Sequence, residues 1–267
     1  MRFFDKMKAG MRVYGTCITS FNPLWPRIWE AVGLDFVFLD TEHIALDRTQ
    51  VAHLCRQLRA SGVVPIVRVA APSAVLAGQM IDAGAGGVVV PYVESVEEVR
   101  QLVGATKYRP IKGQKLARLL RGEESLTPEL QAYLQEYNGP RMAIVNIESV
   151  PALEELEGLL SVPGLDAVFI GPHDLSVSMG LPEQYDHPEV EQAMRRIVQV
   201  ARAKGLHVGV HFSASPKLQV QWIAEGVDMI LHSSDYALFF QRLQEDITYI
   251  RSQNGDGEAN AARPETI

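Results

Sequence analysis

The stretch 141–178, RMAIVNIESVPALEELEGLLSVPGLDAVFIGPHDLSVS, decides the fold. MAIVNIES and LDAVFIGP are continuous apolar runs, PALEELEGLLSV between them has helical spacing, and GPHDLS turns sharply into a short helix. Apolar runs joined by a helix read as parallel strands buried on both faces, because a half-exposed strand would alternate apolar with polar residues. A carboxylate stands where each strand should end: Glu148 after AIVNI and Asp174 after AVFIGPH.

The same rhythm continues on both sides. VYGTCITS (13–20), DFVFLDTEH (35–43), VPIVRV (64–69) and GGVVVPYV (86–93) come before it; HVGVHFS (207–213) and VDMILHSS (227–234) come after. Each run leads into a helical pattern, and Gly33, Gly62, Gly84, Gly205 and Gly226 stand where helices should stop. Eight such units predict an α/β fold, a (β/α)8 TIM barrel, as one domain over residues 1–254. The rival is a doubly wound open sheet, but the first strand–helix turn, ITSFNPLWP, has no glycine-rich phosphate fingerprint. Two segments break the rhythm. Residues 107–140 are expected to hold a loop and one extra helix capped by Thr127, and the polar tail 255–267 is expected to be disordered.

The 267 residues are 47% hydrophobic with a net charge of −7, enough chain for a large core. No Lys/Arg-rich run suggests a nucleic-acid partner. No apolar run approaches the ~18–20 residues of a membrane span, and MRFFDKMKAG lacks the apolar centre of a secretory signal. Cys17 and Cys55 lie in apolar segments without Cys-x-x-Cys spacing, which predicts two buried thiols in a reducing cytoplasm.

A barrel keeps its chemistry at the C-terminal strand ends. Glu148 and Asp174 there can hold Mg²⁺, Mn²⁺ or a similar ion such as Co²⁺, or each can cap the helix that follows it. Asp40 beside His43 can orient a general base; alternatively His43 is a rim histidine bonded to a backbone carbonyl. Arg68, ending VPIVRV, can steady an enolate oxygen, or pair with Asp40 or Glu42 as a structural bridge; Glu42 is read as support for it. The Gly171-Pro172-His173-Asp174 turn offers backbone N–H groups to a substrate carboxylate, or is simply a tight turn. Asn146, His173 and His211 face the same mouth and are read as substrate contacts. His173, His211 and His232 have no local zinc spacing. None of the seven lysines stands at a strand end, so no Schiff-base lysine is expected and a metal ion has to serve as electron sink.

FVFLDTEH, PIVRV, GAGGVVVPYVESVEEVRQLVGATKY, VNIESVPALEEL and GLDAVFIGPHDLSVSMG resemble the class II pyruvate aldolases of the HpcH/HpaI family over about residues 13–250. The resemblance implies a metal-dependent barrel of the phosphoenolpyruvate/pyruvate type. It implies Glu148 and Asp174 as metal ligands, Asp40 and His43 as a catalytic dyad, and Arg68 as the oxyanion stabiliser. It also implies a hexamer of swapped dimers, in which the YALFFQRL helix packs on a neighbour. The substrate would be a 4-hydroxy-2-oxo acid cleaved to pyruvate and an aldehyde. This chain departs from the family pattern at Asn146, where Gln is usual, at His173, where a small residue is usual, and at Gly113-Gln114-Lys115-Leu116-Ala117-Arg118, where Gly-x-Arg-Gly is common. Two rivals remain. One is a citramalyl- or malyl-CoA type lyase, using Lys112, Lys115, Arg118 and Arg121 for phosphates; the other is a metabolite-binding barrel without catalysis.

Overall fold

The computed structural model describes residues 2–212 and 216–256. Eight parallel strands close into a barrel in chain order: β1 (Val13–Ile18), β2 (Phe36–Asp40), β3 (Val64–Arg68), β4 (Gly87–Val90), β5 (Met142–Ile147), β6 (Ala167–Ile170), β7 (His207–Phe212) and β8 (Met229–Ser234). The helices of the described residues are α1 (Phe3–Lys8), α2 (Trp25–Val32), α3 (Arg48–Ala60), α4 (Ala74–Ala83), α5 (Val96–Lys107), α6 (Gly113–Leu120), α7 (Pro128–Asn138), α8 (Val150–Glu154), α9 (Leu156–Leu159), α10 (Pro172–Ser178), α11 (Pro188–Ala203), α12 (Pro216–Glu225) and α13 (Asp235–Asn254). The architecture is the (β/α)8 barrel that the strand rhythm predicts.

Successive strand side chains point to opposite faces, so each strand feeds two cores. Val37, Leu39, Val67, Val145, Val168 and Val210 face the helices. Phe36, Phe38, Ile66, Ile144, Phe169 and Leu231 fill the barrel. Both faces are apolar, which is why the strands read as unbroken runs. Burying a ring such as Phe169 stabilises by about 1.5–3 kcal/mol. Its place depends on Gly209 of β7, where a Cβ would lie 2.5 Å from the ring.

Local chemistry sets the helix limits. Asp47 with Gln50 and Ser95 with Glu98 form capping boxes at α3 and α5. Gly33 and Gly84 close α2 and α4. Residues 107–140 hold two helices, α6 and α7, rather than the one expected. Thr127 caps α7 as predicted, but α6 lacks a side-chain cap that would mark its start. The helix after β5 is split into α8 and α9 at Glu155. A further helix, α1, was not legible, because six residues are too few to show a period. Its Phe3 and Met7 stop the lower end of the barrel, and Lys6 pairs with Asp35 to hold it there. Gly255 and Asp256, assigned to the tail from sequence, belong to the cap of α13. The rest of the expected disordered tail, 257–267, and Ser213 at the end of the seventh run lie outside the described residues. Cys17 and Cys55 are buried free thiols, and burial pushes both pKa values up. No helix among the described residues is long and apolar enough to cross a membrane.

Candidate active site

The inward parity of the strands ends in a polar layer. Asp40 follows Phe36 and Phe38 on β2, Arg68 follows Ile66 on β3, and Asn146 follows Ile144 on β5. Asp40 and Arg68 are register partners. Arg68 Nε donates to Asp40 Oδ1 at 3.0 Å and Nη2 to Oδ2 at 2.7 Å. The guanidinium sits 5.6 Å from the Phe38 ring centre. Burial opposes ionisation of Asp40, but the hydrogen bonds and charge of Arg68 outweigh it and leave its pKa below the ordinary value. Glu42 Oε2 lies 3.1 Å from Arg68 Nε, without the angle of a hydrogen bond. Burial pushes the Glu42 pKa up despite that neighbour. Glu42 thus forms an ion pair with Arg68 but no hydrogen bond to it.

The expected contact between Asp40 and His43 is not formed. Asp40 is occupied by Arg68 and by the N–H of Glu42, at 3.0 Å. His43 Nε2 is 3.8 Å from Glu42 Oε2, and its side chain is 49% exposed. The reason is geometric. An arginine fork matches both carboxylate oxygens at once, and the loop after β2 carries His43 outward to the rim.

Glu148 and Asp174 come together through Tyr92. Glu148, 2% exposed, accepts the Tyr92 N–H at Oε1 (2.7 Å) and the Asn146 amide at Oε2 (2.9 Å). The Tyr92 hydroxyl donates to Asp174 Oδ1 at 3.1 Å. Neither acid caps a helix. The Ser149 side chain caps α8 by accepting from the Ala152 N–H, and Gly171 is the N-cap of α10, which puts Asp174 inside its first turn. The capping alternatives are thus removed. Burial, with the charge of Asp174 adding to it, pushes the Glu148 pKa up to about 7. Arg68, whose charge reaches Glu148, is held by Asp40 and Glu42.

Two neighbouring acids, one reluctant to ionise and neither matched by a bridging cation, suit a hard divalent ion that takes further oxygens from water and ligand. Among the described residues no group of three or more His, Cys, Asp or Glu side chains could hold a metal, so His173, His211 and His232 form no zinc site. Gly171 is part of the cradle: a Cβ there would lie 2.5 Å from Glu148 Oε2.

Among the described residues, four buried polar atoms of this layer and of β8 have no hydrogen-bond partner: Glu42 Oε2, Asn146 Oδ1, His211 Nε2 and His232 Nδ1. Leaving such an atom unpaired costs about 1–3 kcal/mol, so they are places for water or ligand. His211 stacks against Phe38 with centres 6.2 Å apart, and burial pushes its pKa down to about 4. His173 is exposed, with Nδ1 3.2 Å from the Tyr185 hydroxyl. Pro172 is buried at the start of α10.

Tyr92, inside the run GGVVVPYV (86–93), is a site residue that the sequence leaves without a role. Its φ of 49° lies in the left-handed region, as does that of Ser233 at 54°. Such strain costs about 1–3 kcal/mol and gathers at working sites. A tyrosine carries no sequence mark of left-handed backbone, so the signal was absent. Of the four basic residues considered for phosphate binding, three pair with acids: Lys115 and Arg118 with Glu124, and Arg121 with Glu123.

Comparison with known proteins agrees with the fold. The chain is 30% identical over 239 residues to the 2-dehydro-3,6-dideoxy-6-sulfogluconate aldolase of Pseudomonas putida, covering 90% of this chain and 92% of that one. It is 29% identical over 258 residues to the 2-keto-3-deoxy-L-rhamnonate aldolase of Escherichia coli K12, covering 95% and 94%. The crystal structure of an HpcH/HpaI aldolase from Desulfitobacterium hafniense superposes with a TM-score of 0.82 at 28% identity, over 94% of this chain and 97% of that one. The model of one family matches residues 14–241, from the first barrel strand into the last helix. With a match that spans the barrel from end to end, the chain belongs to the HpcH/HpaI aldolase/citrate lyase family.

Proposed function

We propose that this carbon–carbon lyase is a metal-dependent aldolase that reversibly cleaves a 4-hydroxy-2-oxo acid, of the 2-keto-3-deoxy sugar acid type, to pyruvate and an aldehyde. One observation carries the reading: a guanidinium fixed by Asp40 stands within electrostatic reach of Glu148, which Tyr92 links to Asp174. The two aldolase relatives, both named for 2-oxo-3-deoxy acids, support the substrate class.

Glu148 and Asp174 would hold the ion, Mg²⁺, Mn²⁺ or Co²⁺, which supplies Lewis-acid polarisation of the 2-oxo group. The chain's own residues do the rest. Asp40 occupies Nε and Nη2 of Arg68, which leaves Nη1 for the C2 oxygen as negative charge collects there. His43 takes the 4-hydroxyl proton through a water. The O–H electron pair forms the aldehyde carbonyl, the C3–C4 bond breaks, and its electrons give the enolate of pyruvate. Return of a proton to C3 completes pyruvate. The unpartnered Asn146 Oδ1 and His211 Nε2 receive polar groups of the substrate. The first turn of α10, with Gly171, Pro172 and His173, receives its carboxylate at the His173 N–H, which has no intrahelical acceptor; Pro172 has no N–H, and that of Gly171 goes to the Ile147 carbonyl. No lysine is given a Schiff-base role.

The test is pyruvate release from a panel of 4-hydroxy-2-oxo acids, with and without EDTA. The expected outcome is turnover that EDTA abolishes and Mg²⁺, Mn²⁺ or Co²⁺ restores. Turnover that survives EDTA overturns the metal reading, and metal-dependent cleavage confined to acyl-CoA esters overturns the substrate class.

We also assign the working enzyme to a homo-oligomer of swapped dimers, up to a hexamer, in a reducing cytoplasm. α13 packs on β1 and β8 yet leaves Phe239, Leu243, Ile247 and Ile250 exposed. α2 leaves Ile28 and Val32 exposed, as it does its N-cap Leu24. Apolar faces of this kind suit a second copy. Sedimentation equilibrium reads the result: a monomer at micromolar concentration contradicts it.

A further inference from the structure

We propose that Tyr92 is a positioning residue for the carboxylate pair, setting the spacing of Glu148 and Asp174 and with it the affinity for a divalent cation. This rests on the metal reading above, and nothing in the sequence motifs marks the residue. One side chain and its own backbone touch both acids: the N–H holds Glu148 Oε1 at 2.7 Å and the hydroxyl holds Asp174 Oδ1 at 3.1 Å. The two acids come from different strand ends, after β5 and after β6. Tyr92 follows β4, so a third strand end spans the pair.

The backbone shows how this is achieved. Tyr92 is one of three non-glycine residues with positive φ among the described residues. Pro91 before it has no N–H, so the first donor after β4 is that of Tyr92 itself. In an extended strand that donor would face a neighbouring strand; with φ at 49° it meets Glu148 instead. The ring is 45% exposed, so the core does not depend on it. A phenol of that exposure can be satisfied by water; this one is committed to a carboxylate. Each carboxylate keeps lone pairs beyond these bonds, and Asp174 Oδ2 accepts no bond from a described residue, so both acids remain able to ligate. Groups that orient metal ligands in this way typically change affinity 10–100-fold when removed.

The experiment compares wild type with Tyr92→Phe, which keeps the backbone donor and loses the hydroxyl. Mn²⁺ binding to the EDTA-stripped enzyme is measured by calorimetry, and the bound ion is observed by electron paramagnetic resonance. The expected result is a Kd about tenfold or more weaker and an altered line shape of bound Mn²⁺, with the thermal midpoint of the metal-free protein unchanged. If wild type binds Mn²⁺ and Tyr92→Phe binds it equally well, Tyr92 is a surface aromatic and the proposal fails alone. If wild type binds no Mn²⁺, the metal reading and this inference fall together. A drop in the metal-free midpoint equal to the loss in binding overturns a positioning role in favour of a general structural one.

Discussion

Asp40 and Arg68 face each other in register across β2 and β3, joined by two hydrogen bonds of 3.0 and 2.7 Å. The carboxylate is 5% exposed, so the bond sits where water does not compete. Arg68→Met leaves Asp40 buried without its partner, and stability is expected to fall by about 3–5 kcal/mol. Arg68→Lys keeps a charge but not the fork, and kcat is expected to drop about 10²–10³-fold. Urea unfolding and steady-state kinetics check both. An unchanged unfolding midpoint in Arg68→Met contradicts the pairing.

Glu148 gives a pH dependence to the metal-free protein. Its folded pKa of about 7 stands above the ordinary glutamate value of 4.5. The folded state therefore holds the proton more tightly, and that stabilisation is full below pH 4.5 and lost as pH rises through 7. In EDTA the thermal midpoint of wild type is expected to lose this contribution between pH 5 and 8, whereas Glu148→Gln lacks it. For the same reason a proton competes with the cation, and Mn²⁺ Kd should rise up to about tenfold per unit below pH 7. A Kd independent of pH from 5 to 8 contradicts this.

His211 acts with the opposite sign. Burial lowers its pKa from 6.5 to about 4, so the unfolded chain takes up the proton first as pH falls. Its contribution is complete above pH 6.5 and is lost as pH drops towards 4. Imidazole resonances of His211 are expected to titrate near pH 4, and His211→Phe should lessen the acid sensitivity of unfolding. A midpoint near 6.5 rules out the buried, neutral ring.

Gly171→Ala tests the cradle without touching a ligand. The φ of −96° suits alanine, so backbone strain is not at issue. The added Cβ would lie 2.5 Å from Glu148 Oε2 and has to displace it. Metal affinity is expected to fall at least tenfold, with little change in the metal-free thermal midpoint. Full metal affinity in this variant shows that Glu148 can move at no cost.

The barrel was legible because each strand faces two apolar layers and each helix is punctuated by caps such as Asp47, Ser95 and Gly84. Glu148, Asp174 and Arg68 were legible as polar residues ending apolar runs. Contacts between side chains were less so. A bridge from Arg68 to Asp40 was among the alternatives and forms, whereas the contact of Asp40 with its sequence neighbour His43 does not, because register across a sheet outranks proximity along the chain. Tyr92 escaped notice for a different reason: its role depends on a backbone angle. The plug at α1 escaped because Phe3 and Met7 acquire meaning only when the barrel they close exists.

That plug has a directional consequence. With Phe3 and Met7 below and Phe36 and Phe169 filling the middle, the barrel axis is closed by side chains from the lower end upward. A group that meets the buried Glu148 therefore does so from the strand-end side, where His43, Tyr92 and His173 are exposed. The direction of approach is set by the end of the molecule farthest from the chemistry.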